Sequence, residues 1–321
     1  MFYYKTFGER TRMIPLYFAP LEGITTHIYR RVHARMFGGC GAYYAPFIVP
    51  SAEERVTRRR MRDILPENNS GVPLRVQVLT DNAAAFCAFA EKIRSLGYGE
   101  LNLNLGCPAP TVVGKGRGAA QLRDPEGLDR LLSDIFSQTD MPVSVKTRLG
   151  FADRTEMERL LPVFNRYPLS LLILHPRTRA QLYGGVPDIE AFAAAYTESK
   201  SDICYNGNIT SAAEYFQITE RFPRLAGVMI GRGAVQNPAI FREIRGGERL
   251  RSEELASFTA ALAEEYRAAK LGEGQVLMKL KEIWAYCIAR YPGEKKIARE
   301  MKKADTVGAF LAAACALPPL P

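Results

Sequence analysis

The sequence predicts an α/β fold, a (β/α)8 TIM barrel followed by a small all-helical domain, on three observations. Eight short β-like runs each close on Gly, Pro or polar residues. Their starts lie 27, 31, 27, 42, 28, 31 and 26 residues apart, the size of a strand plus its crossover helix. After residue 242 the strand signal stops and the pattern turns helical. A doubly wound sheet is the competing arrangement. It often carries GxGxxG after its first strand, and no such motif follows the first run here.

The runs are "PLYFAP" (15–20), "AYYAPFI" (42–48), "PLRVQVLT" (73–80), "ELNLNLG" (100–106), "PVSVKTRLG" (142–150), "SLLILHPRT" (170–178), "SDICYNGN" (201–208) and "GVMIGRG" (227–233). Helix-like stretches separate them, among them "DNAAAFCAFAEKIRSLG" and "DPEGLDRLLSDIFSQT". The first is expected to start on Asp81 as N-cap and to stop at Gly97. His33, in a run with Arg30, Arg31 and Arg35, is expected on the surface. Residues 1–242 are assigned to the barrel and 243–321 to the helical domain. In the latter, Leu277, Leu280, Trp284 and Cys287 recur near helical spacing as a packing stripe. "REMKKADTVGAFLAAACAL" reads as a further helical stretch.

One parity of a barrel strand faces inward and the other faces the helices. In "LNLNLG", Leu101, Leu103 and Leu105 take the outer face, so Asn102 and Asn104 point in. The same parity turns Arg75 and Gln77 one way, and Ser144, Lys146 and Arg148 another strand's way in. His175 and Asn206 fall near strand ends. Inward amides need hydrogen-bond partners, from a network or a ligand. Lys146 lies in a valine-flanked strand and there calls for an anion or a dipole. Barrel enzymes keep their sites at the C-terminal strand ends, where these groups gather.

The loops after the seventh and eighth runs, "NGNIT" and "GRGAVQNP", suit a phosphate: glycines admit close backbone approach, and Arg232 brings a charged fork. These residues fit several phosphate-using barrel enzymes, including a Schiff-base aldolase working through Lys146. Cys107 fits a nucleophile, a general acid or a small apolar filler.

Bulk properties narrow the class. Net charge is +9, concentrated in residues 1–62 (eleven basic, four acidic) and 275–304 (eight basic, three acidic). Such surfaces attract polyanions. Six scattered cysteines without a CxxC pair argue against a disulfide framework or a zinc site, so no metal is expected. No apolar run is long enough for a membrane span, and the N-terminus lacks a signal-peptide pattern. A cytoplasmic protein is expected, with no membrane and no obligate protein partner.

Taken together, "APLEG" (19–23), "RVQVLT", "LNLNLGCPAPTVVGKGRGAAQL" (101–122), "VSVKTRLG", "LHPRTRAQLYGG", "NGNI" and "GVMIGRGAVQNP" resemble the tRNA-dihydrouridine synthase family. The resemblance spans residues 14–242 and, more loosely, the helical tail. It implies an FMN-bound barrel joined to a helical tRNA-binding domain, reducing the C5–C6 bond of selected uridines with NADPH as electron donor. On that resemblance Cys107 protonates C5 while reduced flavin delivers hydride to C6. Pro20, Gln77, Lys146, His175, Asn206, Gly207, Gly231 and Arg232 match cofactor-binding positions, and Asn104 and Arg177 match substrate-binding residues near the bound uracil or flavin. The chain departs from the family pattern at Leu21, Leu105 and Pro176, and lacks the usual Asp-Trp pair after "QLYGG". Basic candidates for RNA contact are Arg58, Arg59, Arg60, Arg62, Lys279, Lys281, Lys295, Lys296, Lys302 and Lys303. Two rival functions are a flavin barrel acting on a free pyrimidine or other small molecule, and a non-catalytic RNA-binding protein.

Overall fold

A computed structural model describes residues 13–50 and 58–320. All eight expected strands form: β1 (Leu16–Phe18), β2 (Ala42–Tyr44), β3 (Leu74–Val78), β4 (Leu101–Asn104), β5 (Val143–Gly150), β6 (Leu171–Thr178), β7 (Ile203–Tyr205) and β8 (Gly227–Ile230). They pair in chain order, all parallel, and β8 returns to β1 to close the barrel. The expected parity sorts the wall. Leu101, Leu103, Val143, Val145, Leu172 and Leu174 join the core between strands and helices. Ala19, Ala42, Tyr44, Leu171, Ile173, Cys204 and Met229 meet inside.

Capping explains the helix starts. Helix Ala83–Ser95 begins on Asn82, whose side chain accepts from Ala85 N at 2.8 Å. This corrects the expectation for Asp81, which stands one residue too early and instead meets Arg117 at 2.8 Å. Helix Pro125–Gln138 starts on Asp124 with proline in its first turn.

His33 is also a correction, since it is fully buried. The helix His27–Met36 is squeezed between β1–β2 and helix Ser252–Ala268, so it packs on two sides. His33 Nε2 lies 2.8 Å from Pro238 O and Nδ1 lies 2.7 Å from Tyr43 Oη, amid Phe18, Phe37, Phe241 and Phe258. Burial pushes the imidazole down to about 3. It is therefore neutral, donating to the carbonyl and accepting from the tyrosine. Arg30 is buried as well, held by Thr25 O, Asp63 and Asn69.

The C-terminal region holds helices Ser252–Ala268, Glu273–Cys287, Lys295–Lys303 and Val307–Cys315. Leu277, Leu280, Trp284 and Cys287 are buried, as the stripe requires. The last helical stretch is two helices, because the chain breaks at 304–306 and Thr306 caps the second. This region is locked to the barrel. Arg31 and Arg35 pair with Glu265, Phe258 packs on Tyr29 and Phe37, and Lys279 Nζ donates to Gly23 O at 3.1 Å. No helix among the described residues is long and apolar enough to cross a membrane.

Candidate active site

A ladder of amides climbs the barrel interior to Cys107. Ser144 Oγ donates to Glu100 Oε1 at 2.6 Å, and Asn102 Nδ2 donates to Ser144 Oγ at 2.8 Å. Gln77 Nε2 donates to Asn102 Oδ1 at 2.7 Å, and Asn104 Nδ2 donates to Gln77 Oε1 at 2.8 Å. At the top, Asn104 Oδ1 accepts from the backbone N–H of Gly106 at 3.0 Å and of Cys107 at 2.9 Å. Strand register builds this, since Gln77 sits beside Asn102 and Asn102 beside Ser144. Each amide both donates and accepts, so burial costs little. The ladder therefore fixes the backbone that carries the thiol.

The loop after β4 folds back on itself. Cys107 O accepts from Ala119 N at 3.1 Å. Gly118 lies at φ +59°, and a Cβ there would come within 3.0 Å of Cys107 O. Cys107 is half-buried. Burial pushes its thiol above the usual range, opposed by a backbone hydrogen bond from Ala109 and then by the Arg148 charge. The thiol thus keeps its proton at neutral pH.

Four cations surround the ring of His175: Lys146, Arg148, Arg177 and Arg232. Among the described residues no carboxylate pairs with any of them. Arg148 Nε donates to Gly106 O at 2.8 Å, and its Nη1 donates to Thr178 O and Leu182 O at 2.9 and 2.7 Å. It ties the loops after β4 and β6 together. Arg177 donates to Gly184 O, Gly185 O and Asn208 Oδ1, and its Nη1 lies 3.1 Å from His175 Nε2. Burial and then the neighbouring cations hold His175 well below the usual histidine range. The ring is neutral, and its Nε2 accepts from Arg177. The Lys146 ammonium makes no hydrogen bond or ion pair with the described residues. Burial, then the Arg148 charge, pushes it down to about 8.

Beside this cluster the loops after β7 and β8 touch. A Cβ on Gly233 would reach 1.9 Å from Ile209 O, and one on Gly207 would reach 2.0 Å from Tyr205 Oη. Arg232 Nη2 donates to Asn208 Oδ1 at 3.1 Å at the exposed rim. Asn206 Nδ2 donates to Met229 O at 2.8 Å. Gly231 precedes helix Arg232–Gln236, and Pro20 stands two residues past the end of β1.

The residues singled out by sequence thus converge on the C-terminal face, with two redistributions. Gln77 is fully buried and engaged at both polar atoms inside the ladder. Asn104 bonds Gln77 and the backbone of Gly106 and Cys107, and Arg177 bonds the loop after β6, Asn208 and His175. Glu100 and Asn208 were missed, and so was the clamping role of Arg148. Parity turns Arg148 inward, but the loops it ties together are distant in sequence and carry no motif for the contact.

Such a mouth, with a protonated thiol, a neutral histidine and unmatched positive charge over a closed parallel barrel, has the make-up of a (β/α)8-barrel enzyme site that can hold an anion. The profile of the dihydrouridine synthase (Dus) family matches residues 17–316. A probable tRNA-dihydrouridine synthase from Rhodobacter capsulatus is 32% identical, covering 70% of this chain and 68% of that protein. A tRNA-dihydrouridine synthase B from Pseudomonas putida is 29% identical, covering 93% of this chain and 90% of that protein. The old yellow enzyme from Trypanosoma cruzi shares the fold, with a TM-score of 0.53 and 10% identity over 77% of this chain and 93% of that one. This chain belongs to the dihydrouridine synthase family.

Proposed function

We propose that this chain is a tRNA-dihydrouridine synthase that binds FMN, takes electrons from NADPH and uses Cys107 as proton donor. The observation that carries the proposal is the Cys107 thiol, held at the mouth by Asn104 and kept protonated by burial. A general acid must hold its proton until it is needed.

The residues fit a flavin mononucleotide. A half-buried, unpartnered ammonium at Lys146 favours an anionic ring, and the tight Gly207–Gly233 loops with Arg232 favour its phosphate. His175, Asn206, Gly231 and Pro20 line the same mouth and would complete the holding set. Gln77 would act from beneath, through the ladder. FMN held there would supply the hydride for C6 of uracil. Cys107 Sγ supplies the proton for C5. Asn104 orients Cys107 through its backbone, and Arg177 and Arg148 hold the loop after β6 over the mouth.

A uridine in folded tRNA reaches this site only when extruded, which costs a few kcal/mol of unstacking. Exposed cations offset that cost through the phosphate backbone. Arg62, Lys295, Lys296, Lys302 and Lys303 are exposed. Arg60 is exposed too, with a partner of its own. The side chains of Arg58 and Arg59 lie outside the described residues. Lys279 and Lys281 are better read as structural, since they donate to Gly23 O and Ala304 O. Residues 243–321 then act as the tRNA-facing region beside the catalytic barrel of residues 1–242, in the cytoplasm.

Purified protein should be yellow and should form dihydrouridine in unmodified tRNA with NADPH. Cys107→Ala should lower turnover about 10²–10⁴-fold. Reduction of the flavin by NADPH should stay unchanged. A colourless protein that FMN cannot reconstitute would overturn the reading.

A further inference from the structure

The loop after β6 is held from inside. Arg148 donates to Leu182 O, and Arg177 donates to Gly184 O and Gly185 O, from guanidiniums that are almost wholly buried. Gln181 Oε1 accepts from Thr178 N at 2.7 Å and closes the base of the loop. With these carbonyls turned to the buried arginines, side chains are turned out. Leu182, Tyr183 and Val186 are 47%, 53% and 82% exposed. They are half of the six large apolar side chains that the described residues leave exposed. Leu182 is held at φ +51°, a left-handed conformation that a branched side chain seldom adopts. A fixed loop that presents apolar groups at an enzyme's mouth is a recognition surface.

The ring of Tyr183 narrows what is recognised. The Arg232 guanidinium lies 4.8 Å from its centroid and that of Arg148 5.3 Å, and the His175 ring is 6.3 Å away. The cations steady the ring and give its surroundings a positive field. A flat aromatic face in a positive field at the edge of a site suits an unstacked base on an anionic strand. Extruding one base from RNA leaves its neighbour without a stacking partner. We propose that Tyr183, flanked by Leu182 and Val186, is a stacking platform for the base next to the reacting uridine. This inference rests on RNA being the substrate.

The test uses the full-length holoenzyme, a short single-stranded RNA with 2-aminopurine beside a uridine, and unmodified tRNA. Wild type and Tyr183→Trp should quench the 2-aminopurine fluorescence on binding, and Tyr183→Ala should not. Losing one base–aromatic stack corresponds to about a ten- to hundred-fold weaker interaction. Tyr183→Ala should therefore raise KM for tRNA by about that factor, leave kcat within about two-fold, and leave flavin reduction by NADPH unchanged. Tyr183→Phe should restore KM. Absence of quenching by wild type, or an unchanged KM in Tyr183→Ala, overturns the platform. A defect confined to flavin reduction also overturns it and makes the loop a cover for the cofactor. The fluorescence measurement needs no turnover, so it decides the platform even where uridine reduction itself fails.

Discussion

The two halves of the barrel wall solve the same packing problem with opposite chemistry. β1, β2, β7 and β8 fill their share of the interior with Ala19, Ala42, Tyr44, Cys204 and Met229. β3 to β6 present Gln77, Asn102, Asn104, Ser144, Lys146, Arg148, His175 and Arg177, with only the lower end of β6, Leu171 and Ile173, joining the apolar cluster. The apolar half needs only close packing. The polar half must meet its donors and acceptors, and it does so largely through the ladder and two arginine clamps. Lys146 alone in that half has no partner among the described residues. The difference separates the part of the wall that supports from the part that acts, and it singles out Lys146 as awaiting a ligand.

The largest expected effect tests the supporting half. Met229 is fully buried among apolar neighbours, and Met229→Ala leaves a cavity. Stability should fall by about 2–5 kcal/mol, measured by urea unfolding. Turnover per folded molecule should stay within about two-fold, because no bond of the ladder passes through that side chain. A large drop in kcat at saturating tRNA would erase the distinction between the halves.

Gln77→Leu makes the polar half resemble the apolar one at a single position. It orphans Asn102 Oδ1 and Asn104 Nδ2, each at about 1–3 kcal/mol. Part of that loss should be recovered where water enters, so urea unfolding should show about 1–4 kcal/mol in all. Here kcat should also fall, by about ten-fold or more, because Asn104 is then free to release the backbone of Cys107. Stability loss without a kcat effect would show that the ladder is only filler.

Much of this division was legible in the sequence because a barrel strand has period two. Alternation in "LNLNLG" and "VSVKTRLG" turns amides and cations inward. The ladder's bonds were not legible, because they depend on the stagger between neighbouring strands, which no single strand records. His33 was misplaced for a related reason. Its arginine neighbours in sequence suggest solvent, but a helix packed on two sides hides Arg30 and His33 together. The roles of Asn104 and Arg177 follow from loop backbones that fold onto them, and "GCPAP" or "AQLYGG" give no sign of those carbonyls and amides. Asp81 missed by one residue, the usual ambiguity between adjacent Asp and Asn at a helix start.

The smallest effect on stability, and the sharpest on the comparison, concerns Lys146. Its ordinary value is 10.5 and its folded value about 8. Below pH 8 the ammonium is charged in both folded and unfolded chains, and burial without a partner makes the folded one bear the cost. Between pH 8 and 10.5 the unfolded chain holds the extra proton, so stability rises with pH across that window. The side chain is partly exposed by surface area, so the discounted gain is on the order of 1–2 kcal/mol. Lys146→Met should remove this rise in the ligand-free protein and leave it slightly more stable at pH 7. A ligand anion reverses the sign, because it favours the charged ammonium. FMN affinity, read by flavin fluorescence, should be highest below pH 8 and decline above it in wild type, and Lys146→Met should flatten that profile. An identical pH profile in the two proteins would mean that the cation does not face the ligand, and the polar half would lose its one unpartnered ammonium as the mark of the site.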